Sequence, residues 1–445
     1  MKRLLLIAMG ALLASQGTAR AGDMTLDAVL QRTVEKNPEI IRAKLDLERA
    51  YGRRLVFRSI GFPDATIGAA AGDQGGARAG QKPNQPFGFG YGGITQPIFN
   101  AAVPPSFRRG DVEILIAQQR LNMAVVANLH AARVAFCTGL YNRSLKQLRE
   151  EQRARLGEVA NSQKARYESG LASRSALVGA EMQTSELDPR IEAAQRGYDG
   201  SVIQDAELMG DDLSAAGVLP RMSGELTYRP IQVDVDTATA AALQNRADLK
   251  LARLFVRAAE EDQRIVEAAY YPMVSAVIAG EYIPVSGVRR QTQGGPRRSD
   301  DVISSEIRFG AAYTWRVVDN GKVYGAALKQ RSVRAINELT LQKMEADLPR
   351  ELARIRNSLK AIATKQEALT SATSAADLSA AAIQANLAEG ITSQLEYRLA
   401  ENASLKIKTA LLDLAYQQNL ALAEWDRATG RYFQFSEDQR TKNVP

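Results

Sequence analysis

The sequence predicts a mainly α protein with a small β-portion, built as a tandem repeat of helix–strand–strand–long helix–helix. Three observations carry that reading. Two very long helical stretches, about 100–169 and 321–389, run with hardly a proline between their ends. Short segments that alternate apolar and small or polar residues precede each of them. The same short motifs return at a nearly constant offset.

The elements follow in order. Thr25-Leu26-Asp27-Ala28-Val29-Leu30 opens a short helix that stops at Asn37-Pro38, and a second helix runs from Pro38 to about Ile60. Gly61-Phe62-Pro63 breaks it. Small, β-compatible residues follow over about 64–72, then a Gly-, Asn- and Pro-rich stretch from Asp73 to Pro86 that reads as a loop. In the strand at about 87–96, Phe87, Phe89 and Tyr91 alternate with Gly88, Gly90 and Gly92, the period of a strand. Its two faces stay unassigned at this point. In the first long helix Tyr141, Leu145, Leu148, Leu156 and Val159 form one stripe, with Gln152 in the gap. After Gly170 a further helix covers about 171–209, and Pro189 should bend it.

The programme then restarts. Asn37-Pro38-Glu39-Ile40 returns as Arg246-Ala247-Asp248-Leu249, and Phe62-Pro63 as Tyr271-Pro272, both 209 residues on. Thr95 to Asn100 returns as Thr314 to Asp319, and Gly170 and Gly210 as Gly390 and Gly430. The second copy has strands at about 273–283 and 305–316 and helices at about 321–389 and 392–429. The polar stretch Pro284 to Ser304 between those strands holds Arg289, Arg290, Arg297 and Arg298. Leu341, Met344, Leu348, Leu352, Ile355, Leu359 and Ile362 step by threes and fours along the second long helix, where Pro349 should introduce a kink. Residues 22–220 and 221–430 are therefore two structural repeats, and 431–445 is a polar tail.

The N-terminus has Lys2 and Arg3, an apolar run from Leu4 to Ala14, and Ala19-Arg20-Ala21. That is a signal peptide over 1–21 with cleavage between Ala21 and Gly22. No later stretch reads as a transmembrane helix. The chain has 57 Lys+Arg against 50 Asp+Glu, a net +7 that fits a solvated surface rather than nucleic acid. Cys137 and His130 are each the sole residue of their kind. Cys137 reads as a small buried hydrophobe, and no cysteine follows the leader to carry lipid. No constellation of His, Cys and carboxylates suggests an enzyme, a metal site or a cofactor.

Segment lengths bring these parts together. The helix before the strands and the one after Gly170, end to end, nearly match the long helix at about 1.5 Å per residue. Four strands of roughly ten residues suit a tilted crossing of an outer membrane. They cannot cross alone, because open edges in lipid leave backbone groups unpaired. A barrel with room for a passage needs about a dozen strands, so four per chain point to a homotrimer. On the strand at 305–316, Ile307, Phe309, Tyr313 and Trp315 should face lipid, with Glu306 and Arg308 toward water.

In this order and spacing the chain resembles the TolC-like outer-membrane efflux proteins, from Leu26 to about Gly430. The resemblance rests on the duplication, on Ala247-Asp248-Leu249 with Tyr271-Pro272, on Trp315 to Asp319, and on Gly170 and Gly390 followed by Ser173 and Ser393. It implies a homotrimer with a 12-stranded barrel in the outer membrane on a 12-helix periplasmic α-barrel. The partners it implies are a periplasmic adaptor (membrane fusion) protein, an inner-membrane pump of RND or ABC type, and outer-membrane lipid. The function it implies is a passive exit duct for efflux or type I secretion. The turns at Gly170-Leu171 and Gly390-Ile391, with Ser173 and Ser393, would be the helix tips that dock the adaptor. Family turns usually read Val-Gly-Leu or Val-Gly-Thr, and both valines are missing here. Glu396 matches one acidic position of the family's periplasmic aperture, while Leu399 stands at the other. The alternative to a duct is a periplasmic coiled-coil scaffold or adaptor, which would account for the helices and leader but not for two alternating hairpins.

Overall fold

A computed structural model describes residues 24–75, 84–211, 220–290, 298–389 and 391–435. Its elements come in the same order twice. The first series is α1 (Leu26–Lys36), α2 (Pro38–Ser59), β1 (Asp64–Gly75), β2 (Asn84–Phe99), α3 (Val103–Glu168), α4 (Arg174–Ser185) and α5 (Leu187–Met209). The second is α6 (Val235–Asn245), α7 (Ala247–Glu267), β3 (Met273–Arg290), β4 (Arg298–Thr314), α8 (Lys322–Ala388) and α9 (Gln394–Thr429).

Recurring motifs mark the element ends. The Asn37 carboxamide oxygen accepts from the backbone N–H groups of Glu39 and Ile40 at 2.9 and 3.1 Å, capping α2, and Pro38 takes the first helical position where its missing N–H costs nothing. The same side chain donates to the Leu208 carbonyl at 2.8 Å, tying α2's start to α5. Asn100 and Asp319, one ahead of each long helix, accept from backbone N–H groups of Ala102 and of Gly321 and Val323. Gly210 and Gly430 end α5 and α9 in the left-handed region, at φ 66° and 71°. At Gly210 a β-carbon would also press within 2.6 Å of the Lys36 carbonyl.

Several sequence expectations shift. All four strands are longer than their alternation suggests: β1 and β2 extend into 73–86, while β3 and β4 extend into 284–304. Arg289, Arg290 and Arg298 therefore lie on strands (Arg289 opposite Ser299, Arg290 opposite Arg298), and Arg297 lies outside the described residues. Ladder hydrogen bonds do not require alternation once both faces of a hairpin are polar. β4 ends at Thr314, so Trp315 is off the strand, its indole N–H donating to the Tyr270 carbonyl at 3.2 Å. The bend expected at Pro189 is a division of the helix at Glu186: Pro189 has no N–H for the Ser185 carbonyl, where α4 ends, and it falls in the first turn of α5, where none is needed. α8 stays one helix across Pro349. One stretch of α3 is long and apolar enough to cross a membrane, where the sequence reading found none after the leader. Many of its apolar residues, Val112, Ile116, Val125 and Phe136 among them, are buried within the chain.

Contacts divide the chain into two units. Within the described residues, unit 1 gathers 24–41, 124–242 and 348–435, and unit 2 gathers 42–123 and 243–347. In unit 1, Val29 of α1, Phe136 and Leu140 of α3, and Val202, Ala206 and Met209 of α5 close one core around Met24 and Met222. The heptad positions Leu348, Leu352, Leu359 and Ile362 are buried, as are Leu156 and Val159. Gln152, the polar break in the α3 stripe, donates to Asn402 of α9 at 2.7 Å. In unit 2, Val112 and Ile116 of α3 meet Leu251 and Ala258 of α7. Around them Arg109 bridges Glu113 (2.7 Å) and Asp262 (2.9 Å), and Arg108 and Arg264 both reach Glu261 at 2.9 Å.

The strands form one antiparallel sheet in the order β1-β2-β3-β4, all within unit 2.

Candidate channel wall and helix tips

Directly opposed residues of antiparallel strands project to the same side, and neighbours along a strand to opposite sides. The register therefore sorts the sheet into two faces. Ala65, Ile94, Ile278 and Phe309 stand in one row across all four strands, and Ile67, Ile307, Tyr282 and Tyr313 share their side. This face is apolar and bare: Ile67 is 95% exposed, Phe309 85% and Ile307 75%. An exposed apolar row of this size marks a surface that another molecule or a lipid phase covers. Ile307, Phe309 and Tyr313 lie together on this apolar face, and Trp315 lies off the strand.

The opposite face is of another kind. Tyr91 stands between Gly68 and Glu281, Glu281 faces Glu306, and Ala279 faces Arg308. Arg308 lies 3.1 Å from Glu306 and 4.0 Å from Glu281. Phe87, Phe89 and Tyr91 share this polar face. Period 2 alone did not reveal their side; the pairing with β3 does.

The helix tips lie in unit 1. Gly170 has φ 73°, and the Leu171 N–H donates back to the Arg166 carbonyl at 2.7 Å, so the turn reverses the chain at once. Ser173 caps α4, its hydroxyl accepting from the Ala176 N–H at 3.2 Å. The second tip repeats the pattern: the Ile391 N–H donates to the Asn386 carbonyl at 2.9 Å, and Ser393 caps α9. Gly390 lies outside the described residues, as do Ala21 and Gly22. Leu171 and Ile391 are both well exposed. Each tip thus offers one unburied aliphatic side chain just past its turn.

Glu396 is exposed, and its carboxylate accepts from the Ser393 N–H at 3.0 Å while the Ser393 hydroxyl accepts from the Glu396 N–H at 3.3 Å. This is a capping box. Ser393 followed three residues later by a glutamate is its sequence signature, and it was legible but unread. Just beyond, Arg398 joins α9 to α3 by bridging Glu158 and Glu401, and the Tyr397 hydroxyl donates to Glu401 at 2.9 Å.

A group that sequence reasoning missed altogether is Asp205 of α5. It is fully buried beside Val202, Ala206 and Met209 of the unit 1 core, and neither carboxylate oxygen has a hydrogen-bond partner. Burial pushes its pKa up to about 8. Cys137 is buried as expected, and burial pushes its thiol up too, which leaves it inert.

No family model and no curated protein matches the chain. Solved structures do match in fold. The chain is similar to the outer membrane protein VceC from Vibrio cholerae, with a TM-score of 0.75 and 16% identity over 91% of this chain and 96% of that one. The Campylobacter jejuni CmeC outer membrane channel gives 0.78 and 13% over 93% and 87%. The open state of the Neisseria gonorrhoeae MtrE outer membrane channel gives 0.72 and 14% over 91% and 88%.

Proposed function

We propose that this chain, which has the fold of outer-membrane channels, forms the outer-membrane exit duct of a tripartite efflux or type I secretion system. The observation that carries this is the sheet. It presents a bare apolar row on one face and charged side chains on the other, and β1 and β4 are its outer strands with no fifth strand in the described chain to cover them. Such edges survive in lipid only when neighbours pair with them. Three copies give twelve strands and a closed barrel. Exposed aliphatic residues on unit 2 helices, Leu45, Leu55 and Val56 of α2 and Leu328, Ile336 and Leu339 of α8, supply apolar surface for neighbouring copies in a 12-helix periplasmic α-barrel. The two tips, with Gly170, Leu171 and Ser173 on one and Gly390, Ile391 and Ser393 on the other, then dock a periplasmic adaptor. An inner-membrane pump of RND or ABC type delivers the cargo.

The test is fractionation with the outer membrane, heat-modifiable migration on gels and ion conduction in planar bilayers. A periplasmic scaffold or adaptor, the rival reading, would show none of the three.

Three symmetry-related Glu396 carboxylates would form a negative ring at the inner aperture. Glu396→Gln is a clean substitution because glutamine closes the same capping box. The expected result is a severalfold weaker block of single-channel current by divalent cations, with unchanged thermal stability. Unchanged block would leave Glu396 with its capping role alone.

A further inference from the structure

Phe87, Phe89 and Tyr91 form a continuous strip: their ring centroids are 6.2 and 5.9 Å apart, with interplanar angles of 24° and 34°. β1 is shaped to receive it. A β-carbon on Gly68 would lie 2.3 Å from the Tyr91 ring, and one on Gly72 would lie 3.1 Å from Phe87, so these rings lie down over bare backbone with Ala70 paired to Phe89 between them. Phe87 and Phe89 are only partly buried and Tyr91 is exposed, so the strip leaves ring surface open to a ligand, and a π-face carries negative potential. The charges beside the strip have the same sign. Among the described side chains, this face carries Asp64, Glu281 and Glu306 against Arg308 alone. Glu281 is the direct cross-strand partner of Tyr91, which puts a carboxylate about 5 Å, Cβ to Cβ, from the end of the strip.

We infer that this strip and Glu281 form a binding track for organic cations that carry an aromatic ring. The ring of such a ligand stacks on Phe89 and Tyr91, and its cationic centre is held between the Tyr91 face and the Glu281 carboxylate. The inference rests on the duct reading, in which this face lines the barrel lumen, and it adds the chemical class that the wall favours. An anionic aromatic compound meets repulsion from the carboxylates, while a small quaternary ammonium ion without a ring loses the stacking. Three copies would place three tracks around one lumen.

The experiment is open-channel block in planar bilayers, with ions added from the side of the barrel mouth. The probes are benzyltrimethylammonium, tetramethylammonium and benzenesulfonate. In the wild-type protein benzyltrimethylammonium should block at a concentration severalfold lower than either of the others. Phe89→Leu combined with Tyr91→Leu should raise its blocking concentration about tenfold, with unblocked conductance retained. If that double variant fails to assemble, Glu281→Gln, which leaves the ring packing alone, should still weaken block by the benzyl cation and relieve exclusion of benzenesulfonate. Equal block by all three ions, or block unchanged in Glu281→Gln, overturns the track and leaves the duct standing. Wild-type protein that opens no pore overturns both.

Discussion

Asp205→Asn should raise the thermal midpoint of the protein and abolish most of its loss of stability between about pH 4 and pH 8. Asp205 is the buried carboxylate in the unit 1 core, without a hydrogen bond at either oxygen. Its pKa rises from 3.8 to about 8 because burial opposes ionisation. The folded state therefore keeps the proton over a window in which the unfolded chain has released it. Stability contributed by the neutral acid is complete below about pH 4, declines as pH rises, and is fully lost above about pH 8. At about 1.4 kcal/mol per unit the effect is on the order of several kcal/mol, large beside the net stability of a typical domain. His130 gives the opposite slope at lower pH, since burial, the largest cause, lowers its pKa. Comparing wild type with Asp205→Asn at each pH removes that contribution. Melting followed by circular dichroism at pH 4.5 and pH 9 checks the expectation: a small difference at the lower pH and a large one at the higher. Parallel pH profiles for the two proteins would mean that Asp205 ionises freely in the fold.

The second large effect belongs to the apolar face. Phe309→Arg should strongly reduce the amount of assembled protein in the outer membrane, whereas Glu306→Arg should not. Both residues lie on β4, but Phe309 is in the bare apolar row with Ala65, Ile94 and Ile278, and Glu306 is opposite Glu281 on the polar face. If the row faces lipid as proposed, an arginine near the bilayer midplane costs about 2–4 kcal/mol in each copy, and the proposed trimer would carry three. On the polar face an arginine stays in water, and at position 306 it meets the opposed Glu281 with opposite charge while giving up the ion pair with Arg308. Heat-modifiable trimer in membrane fractions gives the readout. Equal loss from both variants would indicate general damage to the strand rather than a lipid-facing side.

The duplicated order of elements was legible because helix ends and turns leave local marks. Asn37-Pro38, the Gly210 and Gly430 caps and the Ser173 and Ser393 caps each need particular side chains at particular backbone positions. The alternation in β4 was legible for the same reason, since each face there has one character. β2 was not. From Phe87 to Gly92 glycine alternates with aromatic rings, so over that stretch one face carries no side chains, and only the pairing of Tyr91 with Gly68 and Glu281 tells which way the rings point. Strand length was also hidden, because polar hairpin arms satisfy their backbone groups through partners that alternation does not reveal. Asp205 could not be found at all. Its neighbours along α5 resemble those of any amphipathic helix, and Val202, Ala206 and Met209 around it are buried in a core completed by residues such as Val29 and Phe136, far away in sequence.

Closure of the sheet by neighbouring copies is the claim on which the rest depends, and crosslinking across the open edges tests it most directly. Single cysteines placed along β1 (Ala65, Ile67 and Ala69) would be paired in turn with single cysteines along β4 (Ile307, Phe309 and Ala311), in a background with Cys137→Ala, and oxidised in intact outer membranes. The expected result is covalent dimers and trimers from at least one pairing register. Crosslinked species of monomer mass, or none in any register, would contradict closure between copies.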